Sequence, residues 1–161
     1  MLLTIAKMSA PSQPSLRVVV LLIAVSAPLA LGLETLIREQ LLIPMIGAEL
    51  EEVREFYWPE LTDELRRATL TRIAWLLVGV TVAAGALGVA LLRRAGRELG
   101  PAKIRDRLLL LTSIPQVPAI LATLCFAFGS TLLPVLIGIA ISTAFVLAQG
   151  LVGERMLARG E

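Results

Sequence analysis

The chain has 161 residues, 57% of them apolar, with a mean hydropathy of +0.82 and a formal net charge of +2. A soluble domain this short leaves too much of its surface in water to hide that apolar content, so composition excludes an ordinary soluble fold and points to a lipid bilayer. Histidine and asparagine are absent and Cys125 is the single cysteine. This removes histidine-ligated haem, the common zinc sites, histidine acid/base catalysis, N-glycosylation and any internal disulfide.

Residues 1–17 carry Lys7 and Arg17 and no acid. The first apolar segment, 18–33, ends at Glu34 and is read as a membrane span. A basic start, an apolar centre and Ala30-Leu31-Gly32 also fit a cleaved leader. Glu34 lies roughly 24 Å along the helix axis from Val18. That is interfacial depth, and Arg38 one turn later is placed to pair with it.

The connection 34–72 holds nine acidic and five basic residues. Leu50, Val53 and Tyr57 share one helical face, Phe56, Tyr57 and Trp58 suit the headgroup level, and Pro59 ends the first piece. Thr62 is placed to cap a second helix, with Asp63 and Glu64 at its positive end and Asp63 and Arg67 spaced for an ion pair. An ordered amphipathic outer loop lying on the membrane is expected; the alternative is an acidic landing surface for an extracytoplasmic partner.

The second span, 73–92, contains small residues at helix-packing spacing: Gly79 with Ala83, and Ala84 with Gly88, around Gly85. The linker 93–107 has six basic residues against Glu98 and Asp106. Residues 108–153 are uncharged, too long for one span and sufficient for two at roughly 20 residues each. Gly129, Ser130 and Thr131 divide them into 108–128 and 132–153. Pro134 then falls in a first helical turn, where its missing N–H costs little. In the last span, Gly138 with Ser142 and Ala140 with Ala144 repeat the small-residue spacing. A short tail, 154–161, follows.

The expected fold is therefore all-α: a polytopic membrane protein of four transmembrane helices, arranged as two hairpins. Counting Lys and Arg, the tails and linker hold ten and the connection 34–72 holds five. The positive-inside rule then places both termini in the cytoplasm. The excess of Arg over Lys, 13 to 2, fits a GC-rich genome and hence a bacterial inner membrane.

Catalytic patterns are missing. Asp63 and Asp106 are the only aspartates, both outside the spans, so an aspartyl peptidase pair is excluded. No Cys-x-x-Cys pair, no phosphate-binding glycine loop and no mid-span carboxylate in 73–92 or 132–153 is present. The basic linker suits anionic headgroups rather than nucleic acid. No cofactor is expected, and the expected partners are the bilayer and either a second copy or another membrane protein.

One stretch stands apart. Thr112–Leu121 places Pro115, Gln116 and Pro118 in an apolar run, with Gln116 roughly 12 Å into the span. Pro115 removes the donor for the Leu111 carbonyl and Pro118 the donor for that of Ile114. Thr112 and Ser113 are expected to supply replacements. In the first span Ser26 and Pro28 fall at the same offsets from Arg17 as Gln116 and Pro118 from Arg107. This points to a two-plus-two repeat with proline sites at matching depth. The leading expectation is a non-catalytic subunit or accessory protein acting through helix–helix contacts. The alternative is a small oligomeric transporter or channel with Ser26, Pro28, Pro115, Gln116 and Pro118 along its path. An intramembrane enzyme is the least supported.

Overall fold

The computed structural model describes residues 15–46, 63–98 and 101–158. Helix α1 (Leu16–Ile37) is capped by Ser15 and passes without a break into a π-helical turn, Arg38–Leu42, and a last α-turn, Ile43–Ile46. Helix α2 is Asp63–Glu98, α3 is Pro101–Ser113, α4 is Gln116–Ala127 and α5 is Leu132–Leu157. Four apolar stretches are long enough to cross a membrane: Leu16–Leu41, Glu64–Ala95, Asp106–Ala127 (spanning α3 and α4) and Leu132–Met156. The protein is an all-α, multi-pass membrane protein.

The helices overrun the hydrophobic segments at both ends. Arg93–Glu98 belongs to α2 and Pro101–Arg107 to α3, so most of the basic linker is helical. Likewise α1 continues past Glu34, which marks a change of polarity and not the end of a helix. Most of the expected outer loop, including Leu50, Val53, Phe56, Tyr57, Trp58, Pro59 and Thr62, lies outside the described residues, as does the side chain of Asp63.

The turn between α4 and α5 forms as its residues require. Gly129 adopts φ +115°, a conformation that a Cβ would strain. Its N–H donates to the Phe126 carbonyl (3.0 Å) and that of Ser130 to the Cys125 carbonyl (2.9 Å), the Schellman pattern that closes a helix C-terminus. The Thr131 N–H donates to Thr71 Oγ1 of α2 at 3.1 Å, tying the turn down. Pro134 sits in the first turn of α5, as expected.

Packing follows two heptad stripes. A stripe of buried positions on α2 runs through Ala74, Val78, Thr81, Gly85, Gly88, Leu92 and Ala95, with Arg66 buried ahead of it; on α5 a stripe runs through Val135, Ile139, Ser142, Val146, Gln149 and Gly153, with Pro134, Gly138 and Gly150 buried beside it. Both alternate steps of four and three residues, the spacing that lets two helices cross at a shallow left-handed angle. Among the described residues these two helices make the most extensive contact. Helix α1 packs on α5, α4 and α3 and makes no extensive contact with α2, so the first hairpin is splayed with the second between its legs. Ala27 of α1 joins Ala119, Ala122, Val135 and Ile139 in one buried cluster.

Candidate functional site

The proline stretch breaks the third span. Ile114 and Pro115 form a turn between α3 and α4, with Pro115 at φ −69°, ψ −15°. The Ile114 carbonyl, denied a donor by Pro118, is recovered by the Val117 N–H at 3.3 Å. Thr112 and Ser113 do not serve the freed carbonyls, contrary to expectation. Thr112 Oγ1 donates to Leu108 (2.9 Å) and Leu109 (3.0 Å), and Ser113 Oγ to Leu110 (2.7 Å). A threonine or serine hydroxyl reaches back three or four residues, so it serves carbonyls of the preceding turn. The donor that secures the break comes from another helix: Ser142 Oγ of α5 donates to the Pro115 carbonyl at 2.9 Å.

Gln116 is 3% exposed, and neither Oε1 nor Nε2 has a hydrogen-bond partner. A second buried amide, which the pattern reading missed, is Gln149 on α5. Its Nε2 donates to the Gly85 carbonyl at 3.3 Å, while Oε1 has no partner. The buried threonines behave differently. Thr81 Oγ1 donates to Leu77 (2.8 Å) and Thr123 Oγ1 to Ile120 (2.7 Å), each within its own helix. Threonine satisfies itself locally; a glutamine on a membrane helix needs something across the interface.

Ser26 and Pro28 do not join this site. Ser26 is half-buried and donates to its own Ile23 carbonyl at 2.7 Å, while Pro28 is exposed on an unbroken α1. Pro118 is buried. The four residues do not meet across a cavity, since α1 meets α4 through Ala27, Ala119 and Ala122. Matching depth along two helices leaves the direction each side chain faces open.

The small residues sort into two faces. A Cβ on Gly85 would meet the Phe145 ring, and one on Gly88 would meet Gln149 Nε2. Gly138 lies in ordinary contact with Val78, 3.5 Å from its would-be Cβ. Gly150 and Gly153, which pattern reading passed over, receive Val20 and Leu108. Gly79 and Ala83 point the other way: both are exposed, and a Cβ on Gly79 meets nothing within 4 Å. With Ala86 and Ala90 they make an exposed stripe on α2, opposite its buried heptad. Ala140 and Ala144 of α5 are exposed too.

Glu34 and Arg38 form an ion pair, with Oε1 and Nη1 3.0 Å apart. The expected pair forms and is buried against α4: Arg38 is 4% exposed and its guanidinium lies 4.8 Å over the Phe126 ring. The contact lies off the hydrogen-bonding direction, so Arg38 Nη1 and Nε have no hydrogen-bond acceptor. The pair borders a groove of about 420 Å³ between α1 and α4. At the other end of α1, Arg17 and Glu154 pair at 2.8 Å, but Arg17 is largely exposed, and such pairs contribute at most about 1 kcal/mol.

Among the described residues no group of three or more Cys, Asp or Glu side chains is placed to hold a metal ion. No family model matches the sequence, and no curated protein or solved structure is similar to it.

Proposed function

We propose that this protein is a non-catalytic subunit or accessory protein of a membrane complex, acting through lateral helix–helix contacts. The observation that carries this reading is the exposed stripe Gly79, Ala83, Ala86 and Ala90 on α2. In lipid no hydrophobic effect drives helices together. A valley of small residues gains close backbone approach to another helix, whereas against lipid it gains nothing. The large exposed side chains Leu76, Val80, Leu87 and Leu91 flank the stripe, as ridges beside a groove. The docked helix belongs to a second copy or to another membrane protein. The basic tails and linker favour cytoplasmic termini, and the excess of Arg over Lys favours a bacterial inner membrane.

Gly79→Leu and Ala83→Leu test the reading. Neither side chain enters the bundle, so thermal unfolding in detergent is expected to shift by less than about 0.5 kcal/mol. The native mass of the complex extracted from membranes is expected to fall to that of the single chain. An unchanged native mass in both variants contradicts the proposal.

Transport is the second reading, favoured by the unpartnered Gln116 amide deep in the bundle. It requires solute flux in liposomes holding the purified protein alone, lost in Gln116→Leu. The subunit reading expects no flux from the wild type.

A further inference from the structure

Among the described residues Arg38 is a buried cation whose hydrogen bonding is incomplete, and it lines a groove. Nη1 and Nε have no acceptor, although the residue is 4% exposed. A guanidinium stays charged in any protein environment, and its buried N–H groups need oxygen atoms. Glu34 Oε1, 3.0 Å from Nη1, neutralises the charge, but neither Nη1 nor Nε has an acceptor in hydrogen-bonding line.

The groove beside it is apolar. Ala30, Leu33 and Ile37 of α1 form one wall, and Ile120, Leu124 and Ala127 of α4 the other. Thr123 also lines it, but its hydroxyl is already given to Ile120. The volume of about 420 Å³ lies within the usual range for ligand pockets, about 300–1,000 Å³. The rims are Leu33, Ile37 and Leu124, which are 54%, 39% and 47% exposed, so the groove opens on a face dressed for lipid. From Ala30 to Arg38 it runs roughly 12 Å along the helix axis, most of one leaflet of a ~30 Å hydrocarbon core. The guanidinium stands at the end where α1 turns π-helical.

We propose that this groove binds one acyl chain of a membrane phospholipid, whose phosphodiester oxygens accept from Arg38 Nε and Nη1, which the side chain turns into the groove from their sealed position over Phe126. The occupant arrives sideways from the bilayer. Because Glu34 makes the site nearly neutral, selection rests on hydrogen bonds to the phosphate and not on long-range attraction. Planar N–H donors and phosphate oxygens form short, charge-assisted bonds. The inference is independent of the α2 stripe and goes beyond the proposed role as a subunit.

The test uses the purified full chain in maltoside micelles, with phosphatidylcholine carrying a photoreactive group on its acyl chain. Diacylglycerol with the same chain is the comparison. Phosphatidylcholine is expected to label residues 30–38 and 120–128 about tenfold more than diacylglycerol does, the effect of one charge-assisted hydrogen bond. Arg38→Gln should lower labelling to the diacylglycerol level, and Arg38→Lys should keep part of it. Leu124→Trp, which fills the groove and leaves Arg38 in place, should abolish labelling with unfolding unchanged. That variant decides the matter if Arg38→Gln does not fold. Equal labelling by the two lipids, spread over all outward faces, overturns the proposal. So does a groove that neither lipid labels, which would place residues 47–62 or a partner helix over it.

Discussion

Glu34→Leu is expected to destabilise the bundle by about 3–5 kcal/mol, the cost of leaving a buried charge without its partner. Arg38 is 4% exposed, pinned over Phe126, and its ion-pair partner is Glu34 at 3.0 Å. Removing the carboxylate strands the guanidinium among Leu33, Ile37 and Leu124. The double variant Glu34→Leu/Arg38→Leu is expected to recover most of the loss, since apolar side chains replace a buried pair at little cost. Thermal unfolding of the single and double variants in lipid-free detergent measures this. A single variant as stable as wild type would show that solvent reaches Arg38.

Gly85→Leu is expected to abolish folding of the α2–α5 pair. The Cβ alone would meet the Phe145 ring near its stem, where the side chain has little room to swing. Overpacking of this kind costs about 1–3 kcal/mol even for small insertions, so Gly85→Ala should already lower the unfolding midpoint. Gly85→Ala/Phe145→Leu should restore it. The contrast with Gly79→Leu is the informative part: two glycines six residues apart on one helix, one lethal to packing and one silent in it. Folded yield and unfolding midpoint report both.

Much of the architecture is written in local chemistry. Hydropathy located the four spans, and the missing N–H of Pro115 located the break between α3 and α4. Gly129 located the turn that only a left-handed residue closes. Each of these depends on a few neighbouring residues. Which way a helix faces depends on its neighbours in space, and there the pattern was ambiguous. Gly79/Ala83 and Ala84/Gly88 have equal spacing, yet only Gly88 of these glycines, with Gly85, meets another helix. Ser26–Pro28 and Gln116–Pro118 share their offsets from Arg17 and Arg107, yet Pro28 faces outward and Pro118 inward, for the same reason.

Some signals were present and passed over. Gln149 lies seven residues after Ser142, two heptad-equivalent polar positions on an apolar helix. Gly150 and Gly153 continue the small-residue face begun by Gly138 and Ser142. Reading α5 for a seven-residue period would have put Ser142, Gln149 and Gly153 on one buried stripe. The burial of Glu34 and Arg38 was not legible, because the residue that covers Arg38 is Phe126, 88 positions away.

The most direct test of the proposed role places a benzophenone amino acid at Leu87, on the rim of the α2 stripe, and irradiates intact membranes. Leu21, outward on α1 and similarly exposed (56% against 59%), serves as the comparison. The account predicts a protein adduct of one defined mass from Leu87 and none from Leu21. Lipid adducts alone at both positions would contradict it.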